Sequence, residues 1–274
     1  MSAPTALTIR GLTRSFVAPG GPVRALVGLD LDAAPGEFVT IIGPSGCGKS
    51  TLFNLLAGLD EPDAGQITLG GEINGARLGR VAYMPQRDLL LPWRTIIDNV
   101  ILPLELRGVP RAAARERARA LLPRFGLDGF ADAYPATLSG GMRSRAAFLR
   151  TTLADGALLL LDEPFGALDA LTRAGLQEWL LDVWERERRT TLFITHDVDE
   201  AIFLADRLYV LTPRPGRIAF TTAVDLPRPR TTALLTDPAF IALKATILAT
   251  LRAGEVTSTT GLAATLVATV GGVR

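Results

Sequence analysis

The chain has 274 residues, 48% of them hydrophobic, and a formal net charge of +1, so it can build a sizeable core and lacks the global basic field of a nucleic-acid binder. A single cysteine, Cys47, excludes an internal disulfide and suits a reducing compartment. No stretch approaches the roughly 20 apolar residues of a spanning helix, and the opening MSAPTALTIR has no basic segment leading into a long apolar run. A soluble chain with one large α/β domain is expected.

Residues 7–12 and 24–31 read as short strands around a turn at residues 19–22, suggesting an antiparallel layer beside the main sheet. Phe16, just past the first strand, could stack on a purine or simply pack at an edge. Residues 38–42 (FVTII) read as a buried strand and residues 52–57 as the start of a helix. Between them lies GPSGCGKST: Gly43, Pro44, Ser45, Gly46, Cys47, Gly48, Lys49, Ser50 and Thr51. Strand, glycine loop and helix in that order form a phosphate-binding loop. The glycines let successive backbone N–H groups converge on an anion, and the helix dipole adds to them. Lys49 can reach the β- and γ-phosphates and Ser50 can ligate Mg²⁺. The loop is therefore expected to bind a nucleoside triphosphate. Cys47 reads as a tolerated small residue rather than a catalyst.

A turn at residues 60–65, a hairpin through 67–73 and a strand at 81–84 follow, the strand ending at Pro85-Gln86. From about 87 to 155 the pattern is helical, over residues 94–107, 111–124 and 140–153, and reads as a helical subdomain inserted in the α/β core. The arginines at 111, 115, 117 and 119 read as a solvated helix face. Residues 157–161 form a continuous apolar strand of the parallel-sheet kind. The pattern then predicts helices at 170–188 and 198–204 and strands at 191–195, 207–211 and 217–220. Turn chemistry at 213–216 (PRPG) separates the last two strands. A helix over 238–251 precedes a low-complexity tail from residue 253, to which no structure is assigned. Residues 1–230 thus read as a nucleotide-binding α/β domain with its helical insertion, and 231–274 as a helix and tail.

Four leucines at 158–161 lead into Asp162-Glu163. An acidic residue at the end of a buried strand beside a phosphate loop is placed to hold Mg²⁺, which is the role assigned to Asp162. Glu163 sits at the strand exit, where it can orient and deprotonate an attacking water. Ser139, Gly140 and Gly141, in the run LSGGM, stand before a helix and offer a hydroxyl and free N–H groups as a second anion site.

With that run the chain resembles the ATP-binding cassette family, over nearly all of its length up to about residue 230. The resemblance implies a phosphate loop at 43–50, LSGGM as the signature, and Gln86 as the residue linking core to helical subdomain and reaching the Mg²⁺ and water. It also makes 167–169 (ALD) the segment crossing a dimer, and His196, the chain's only histidine, the switch residue donating to the γ-phosphate. The signature would close on ATP bound by a second subunit in a head-to-tail homodimer. Met142 stands where the family often has Gln, and the anion-binding backbone is unaffected by that change.

A single cassette without a span or long heptads points to a separate ATPase subunit docked on membrane permease subunits. LLLPWRT after Gln86, FGALDALTR, RPGRI and DLPRPR are similar to the nitrate, sulfonate, taurine and pyrimidine-precursor importers. This resemblance implies a peripheral protein on the cytoplasmic face of the membrane, with an external solute-binding protein as an indirect partner. The ATPase of a modular exporter, and a permease-free cassette acting on nucleic acid or ribosomes, are the alternatives; neutral net charge opposes the latter. Trp93 can be an interface anchor or subdomain packing.

Overall fold

The computed structural model describes residues 6–270 apart from Ala167, with side chains as far as residue 254. The chain opens with a long hairpin. Strand β1 (Leu7–Ala18) pairs antiparallel with β2 (Gly21–Ala33) through a turn at Pro19-Gly20. Both strands are longer than their sequence pattern predicts. Three register shifts interrupt the ladder between Ile9 and Ser15, with Gly11 and Gly28 at φ near +61°. Each irregularity breaks the in–out alternation while pairing continues, so the hydrophobic signal ends before the strand does. Strands β4 (Ala64–Leu69) and β5 (Glu72–Ile73) complete an antiparallel sheet of order β2-β1-β4-β5.

The second sheet has order β10-β9-β3-β8-β7-β6, comprising β3 (Phe38–Ile42), β6 (Val81–Met84), β7 (Leu158–Asp162), β8 (Thr191–Thr195), β9 (Arg207–Leu211) and β10 (Ile218–Ala223). All its pairs are parallel except β9–β10. Every residue of β3, β7 and β8 is buried, because both faces of this sheet are covered. The sheet separates two cores by simple alternation. Val39, Ile41, Leu158, Leu160, Leu192 and Ile194 face one side, together with helix α1 (Lys49–Ala57) and the antiparallel sheet. Phe38, Ile42, Leu159, Leu161 and Phe193 face the other, where all later helices gather.

Those helices begin with α2 (Ile96–Val100) and α3 (Leu102–Leu106). The sequence reads as one helix there, but Pro103 has no N–H to give and the helix restarts at Ile101. Helix α4 (Arg111–Arg119) likewise gives way before Pro123 to a 3₁₀ turn at Leu122–Phe125. Then come α5 (Gly140–Thr152), α6 (Ala170–Glu187) and α7 (Val198–Leu204). Phe125, Phe148, Phe165 and Trp179 meet edge to face and weld the helical segment to the sheet. Helix α8 runs Pro238–Val270, continuing into the tail from residue 253 to which the sequence pattern assigns no structure. The tail is rich in Ala, Thr, Val and Gly and contains no Pro after 238, so the helix continues through residues of modest helix propensity without meeting a proline.

Candidate functional site

The phosphate loop grows out of the C-terminal end of β3, at the centre of the parallel sheet, and enters α1 at Lys49. Gly46 (φ +74°) and Gly48 (φ +107°) take left-handed conformations that an L side chain resists, and a Cβ at Gly48 would strike Ala25 and Leu26. The loop bounds a cleft of about 440 Å³ lined by Ser45, Gly46, Gly48, Lys49, Ser50 and Thr51. Phe16, Gln86 and Glu163 close its other walls. Gly43, Pro44 and Cys47 shape the loop without lining the cleft. Burial pushes the Cys47 thiol up, so it stays protonated and chemically inert, as its placement suggests.

Lys49 is 7% exposed, and its ammonium donates to the carbonyls of Gly43 (2.7 Å) and Pro44 (3.1 Å). A buried cation held by neutral acceptors next to an open cleft is poised to exchange them for phosphate oxygens. Asp162 is 2% exposed, at the end of β7. Burial raises its carboxyl above the ordinary value, the Ser50 hydroxyl bonds to it and draws it part of the way back, and Glu163 adds to the rise. A buried carboxylate against a hydroxyl, with no ion pair among the described residues, is an all-oxygen donor set that fits a hard divalent cation such as Mg²⁺. Among the described residues no group of three His, Cys, Asp or Glu could hold a metal. An ion here would therefore complete its shell from phosphate oxygens and water.

Glu163 has φ +51°, a conformation that non-glycine residues adopt at a cost of about 1 kcal/mol or more. Its N–H is fixed by the carbonyl of Ile194 at 2.9 Å, and the kink turns the carboxylate out of the β7 direction. Two groups meet its Oε2: Gln86 Nε2 at 3.3 Å, donated from beyond β6, and His196 Nδ1 at 3.2 Å, from the end of β8. Three residues spread over 111 positions thus meet because β6, β7 and β8 are adjacent parallel strands whose ends share one edge.

The chain is similar to proteins of known sequence and structure. The profile of the ABC transporter family matches residues 26–166, and the taurine import ATP-binding protein TauB of Chromobacterium violaceum is 43% identical over 236 residues, 84% of this chain and 90% of its own. The chain belongs to the ABC transporter family. The formylaminopyrimidine import ATP-binding protein ThiZ of Halalkalibacterium halodurans is 51% identical over 179 residues, 65% of this chain and 70% of its own. Among solved structures, a dimeric post-hydrolysis state of the ATP-binding cassette MJ0796 bound to ADP and Pi aligns with a TM-score of 0.73. That match covers 81% of this chain and 100% of the other at 27% identity.

Not every sequence-predicted residue of this ABC cassette converges on the cleft. Ser139, Gly140 and Gly141 do not line it. Ser139 caps α5, its Oγ accepting from the Met142 N–H at 3.2 Å, which leaves the N–H groups of Gly140 and Gly141 at the exposed helix start. Met142 itself is tucked against the helical core. Asp169 caps α6 by accepting from the Thr172 N–H, and Ala167 lies outside the described residues. Sequence reasoning missed Val23, Ala25 and Arg214, which also line the cleft. It also missed Arg143 and Arg150 of α5, which grip the segment just after Gln86.

Proposed function

We propose that this cassette is the ATP-hydrolysing subunit of an ABC importer for a small solute, working as a head-to-tail homodimer beneath membrane permease subunits. The meeting of Gln86 and His196 on one oxygen of Glu163, at the mouth of a phosphate-loop cleft, carries the reading. Phe16 offers a face for the base. Lys49 leaves the Gly43 and Pro44 carbonyls for the β- and γ-phosphates, so it stays fully hydrogen-bonded throughout. Ser50 and Asp162, with Gln86 at their edge, are the residues to hold Mg²⁺, whose charge would offset that of the phosphates. Glu163 accepts the proton of the attacking water, and its strained backbone keeps the carboxylate aimed. Gln86 and His196 hold it until γ-phosphate and water compete for their N–H groups.

The dimer reading rests on the separation of Ser139–Gly141 from the cleft of the same chain. An anion site on one face and a half-open phosphate cleft on another complete each other only across two copies. It is supported by the dimeric cassettes among the structural relatives. The importer reading draws on relatives named for taurine and formylaminopyrimidine import. The surface agrees with it. An apolar groove of about 520 Å³ lies between core and helical segment, lined by Leu59, Tyr83, Leu89, Pro103 and Leu106 among others. Trp93 stands 72% exposed on the same segment as Leu89, which favours an interface over subdomain packing. Among the described residues no helix is long and apolar enough to cross a membrane, so contact with permeases would be peripheral, on the cytoplasmic face. An external solute-binding protein would then deliver the cargo.

The test is a comparison of Lys49→Ala with Glu163→Gln. Lys49→Ala is expected to lose ATP binding. Glu163→Gln is expected to bind ATP normally and to hydrolyse it about 10²–10⁴-fold more slowly, the usual effect of removing a general base. Normal turnover in Glu163→Gln would remove Glu163 from its role.

A further inference from the structure

The turn at residues 213–216 reads from sequence as a connection between two strands, yet it is built into the phosphate loop. The Gly216 N–H donates to the Ala25 carbonyl at 2.9 Å, and the Gly216 carbonyl accepts from the Val27 N–H at 3.1 Å. Gly216 also bridges to Leu26, and a Cβ on it would collide with the Cys47 carbonyl oxygen. The turn is therefore clamped between β2 and the back of the loop, with no room for any residue but glycine at its tightest point. From this anchor Arg214 reaches into the cleft, donating from Nε to the Gly46 carbonyl at 3.1 Å. It makes no ion pair among the described residues. Besides Lys49, it is the only cation among the residues lining the cleft.

We propose that Arg214 is a second cationic contact for the nucleotide, made to the part that ATP and ADP share rather than to the γ-phosphate. This rests on the nucleotide reading of the cleft. The position within the site follows from strand order. Strand β9, which delivers Arg214, lies on one flank of β3 and its loop, whereas β8, β7 and β6, which deliver His196, Glu163 and Gln86, lie on the other. Arg214 thus shares its flank with Ala25, Val23 and Phe16, the wall suited to ribose and base. From there its Nη groups, unpaired among the described residues, would meet the α- and β-phosphates of a nucleotide seated in the loop. A planar guanidinium with one N–H spent on Gly46 keeps its other donors for phosphate oxygens in a fixed orientation.

The experiment is calorimetric titration of the full chain with Mg-ATP and Mg-ADP, comparing wild type with Arg214→Ala, Arg214→Gln and Arg214→Lys, and with Lys49→Ala as reference. Melting without nucleotide checks each variant's fold. Gln can still donate to Gly46 but carries no charge, so it separates a brace for the loop from a ligand for the nucleotide. Ala and Gln are expected to weaken ATP and ADP alike by about tenfold, and Lys by about threefold or less. Wild-type affinity in the Gln variant, a loss confined to ATP, or a Lys variant as weak as Ala would each overturn the assignment. Wild type binding neither nucleotide would instead sink the nucleotide reading itself. Normal binding by wild type, with Lys49→Ala defective and every Arg214 variant unchanged, would sink this inference alone.

Discussion

Asp88 accepts a hydrogen bond from Arg143 Nε at 3.0 Å, joining the segment two residues beyond Gln86 to the first turn of the helix that Ser139 caps. Arg143 also donates to the Leu138 carbonyl at 2.9 Å, immediately before the Ser139–Gly141 run. One guanidinium therefore holds both the Gln86 segment and the signature. Arg150, two turns along α5, donates to the carbonyls of Asp88 and Leu89 and fixes the same segment from its far side. Movement of Gln86 on meeting γ-phosphate should be passed directly to the signature.

That relationship predicts coupling without a binding defect. Arg143→Ala and Asp88→Ala should leave affinity for ATP unchanged and lower turnover. The pair is half-exposed, so the effect should be a factor of about 2–5, in line with a solvated ion pair. The double variant should lose less than the product of the two single losses, because both remove the shared Arg143–Asp88 bond, while each also removes a contact of its own, Arg143 to the Leu138 carbonyl and Asp88 to the Leu90 N–H. Additive losses in a turnover cycle would mean that the two side chains act separately.

A second prediction concerns the two faces of the proposed homodimer. Lys49→Ala removes the phosphate contact of one site, and Ser139→Arg obstructs the signature that closes the other. Each variant alone should be inactive. A mixture should contain heterodimers with one intact composite site and one doubly broken site, and ATP-driven association should partly return. Activity should also rise with the square of protein concentration when dilute. A monomer with full, concentration-independent turnover would contradict the composite site.

The pH dependence of stability has a legible source in Glu200. This side chain of α7 is buried; burial pushes its carboxyl above the ordinary value of 4.5. Gln177 donates to it from α6 at 2.7 Å, Thr195 and Arg173 also favour its charge, and Asp197 opposes it. Asp199, paired with Lys244 of α8, stands on the same helix. The sign follows from linkage: the folded state holds this proton more tightly than the unfolded chain does. The contribution of Glu200 to stability is thus greatest below 4.5 and falls as pH rises through the raised folded value. Glu200→Gln lacks that fall. Its melting temperature relative to wild type should therefore be higher at pH 8 than at pH 4.5. A difference independent of pH would rule out the buried charge as its cause.

How much of this was legible in the sequence depends on whether a feature is local. Strands β8 and β9 coincide with their predicted bounds because each is a short β-prone segment with an apolar centre, ended by a polar or turn residue, His196 in one case and Thr212-Pro213 in the other. The ends of β1 and β2 were illegible, since bulges break alternation without ending pairing. Glu163 was identifiable beside Asp162, yet its positive φ was not, because glutamate carries no signal for that conformation. Arg143 and Arg150 carried no signal in the sequence; their partners lie some 55–62 positions away and become visible only when β6 and α5 pack together. Arg214 was hidden for a similar reason. Only the pairing of β9 beside β3 brings its turn to the phosphate loop.

The final prediction separates docking from folding at Trp93. This residue follows Pro92 in the segment that Asn99 ties down, the Leu91 N–H donating to Asn99 Oδ1 at 2.6 Å and Asn99 Nδ2 donating back to the Leu91 carbonyl at 3.1 Å. Asn99 is fully buried, so the backbone carrying Trp93 is rigid although the indole is free. A rigid, exposed aromatic beside an apolar groove has the properties of a binding anchor: large contact area and little entropy left to lose. Trp93→Ala should leave the melting temperature and basal ATPase of the isolated subunit unchanged. It should weaken assembly with the cognate permease by about 2 kcal/mol or more, the usual loss for a central aromatic anchor. The adjacent Asn99→Ala provides the contrast. It orphans a buried amide network and should lower both melting temperature and basal activity along with assembly. A Trp93→Ala subunit that melts early and loses ATPase would return the residue to a packing role, whereas one that is stable, active and unable to bind permease would identify the Trp93 segment as part of the docking surface.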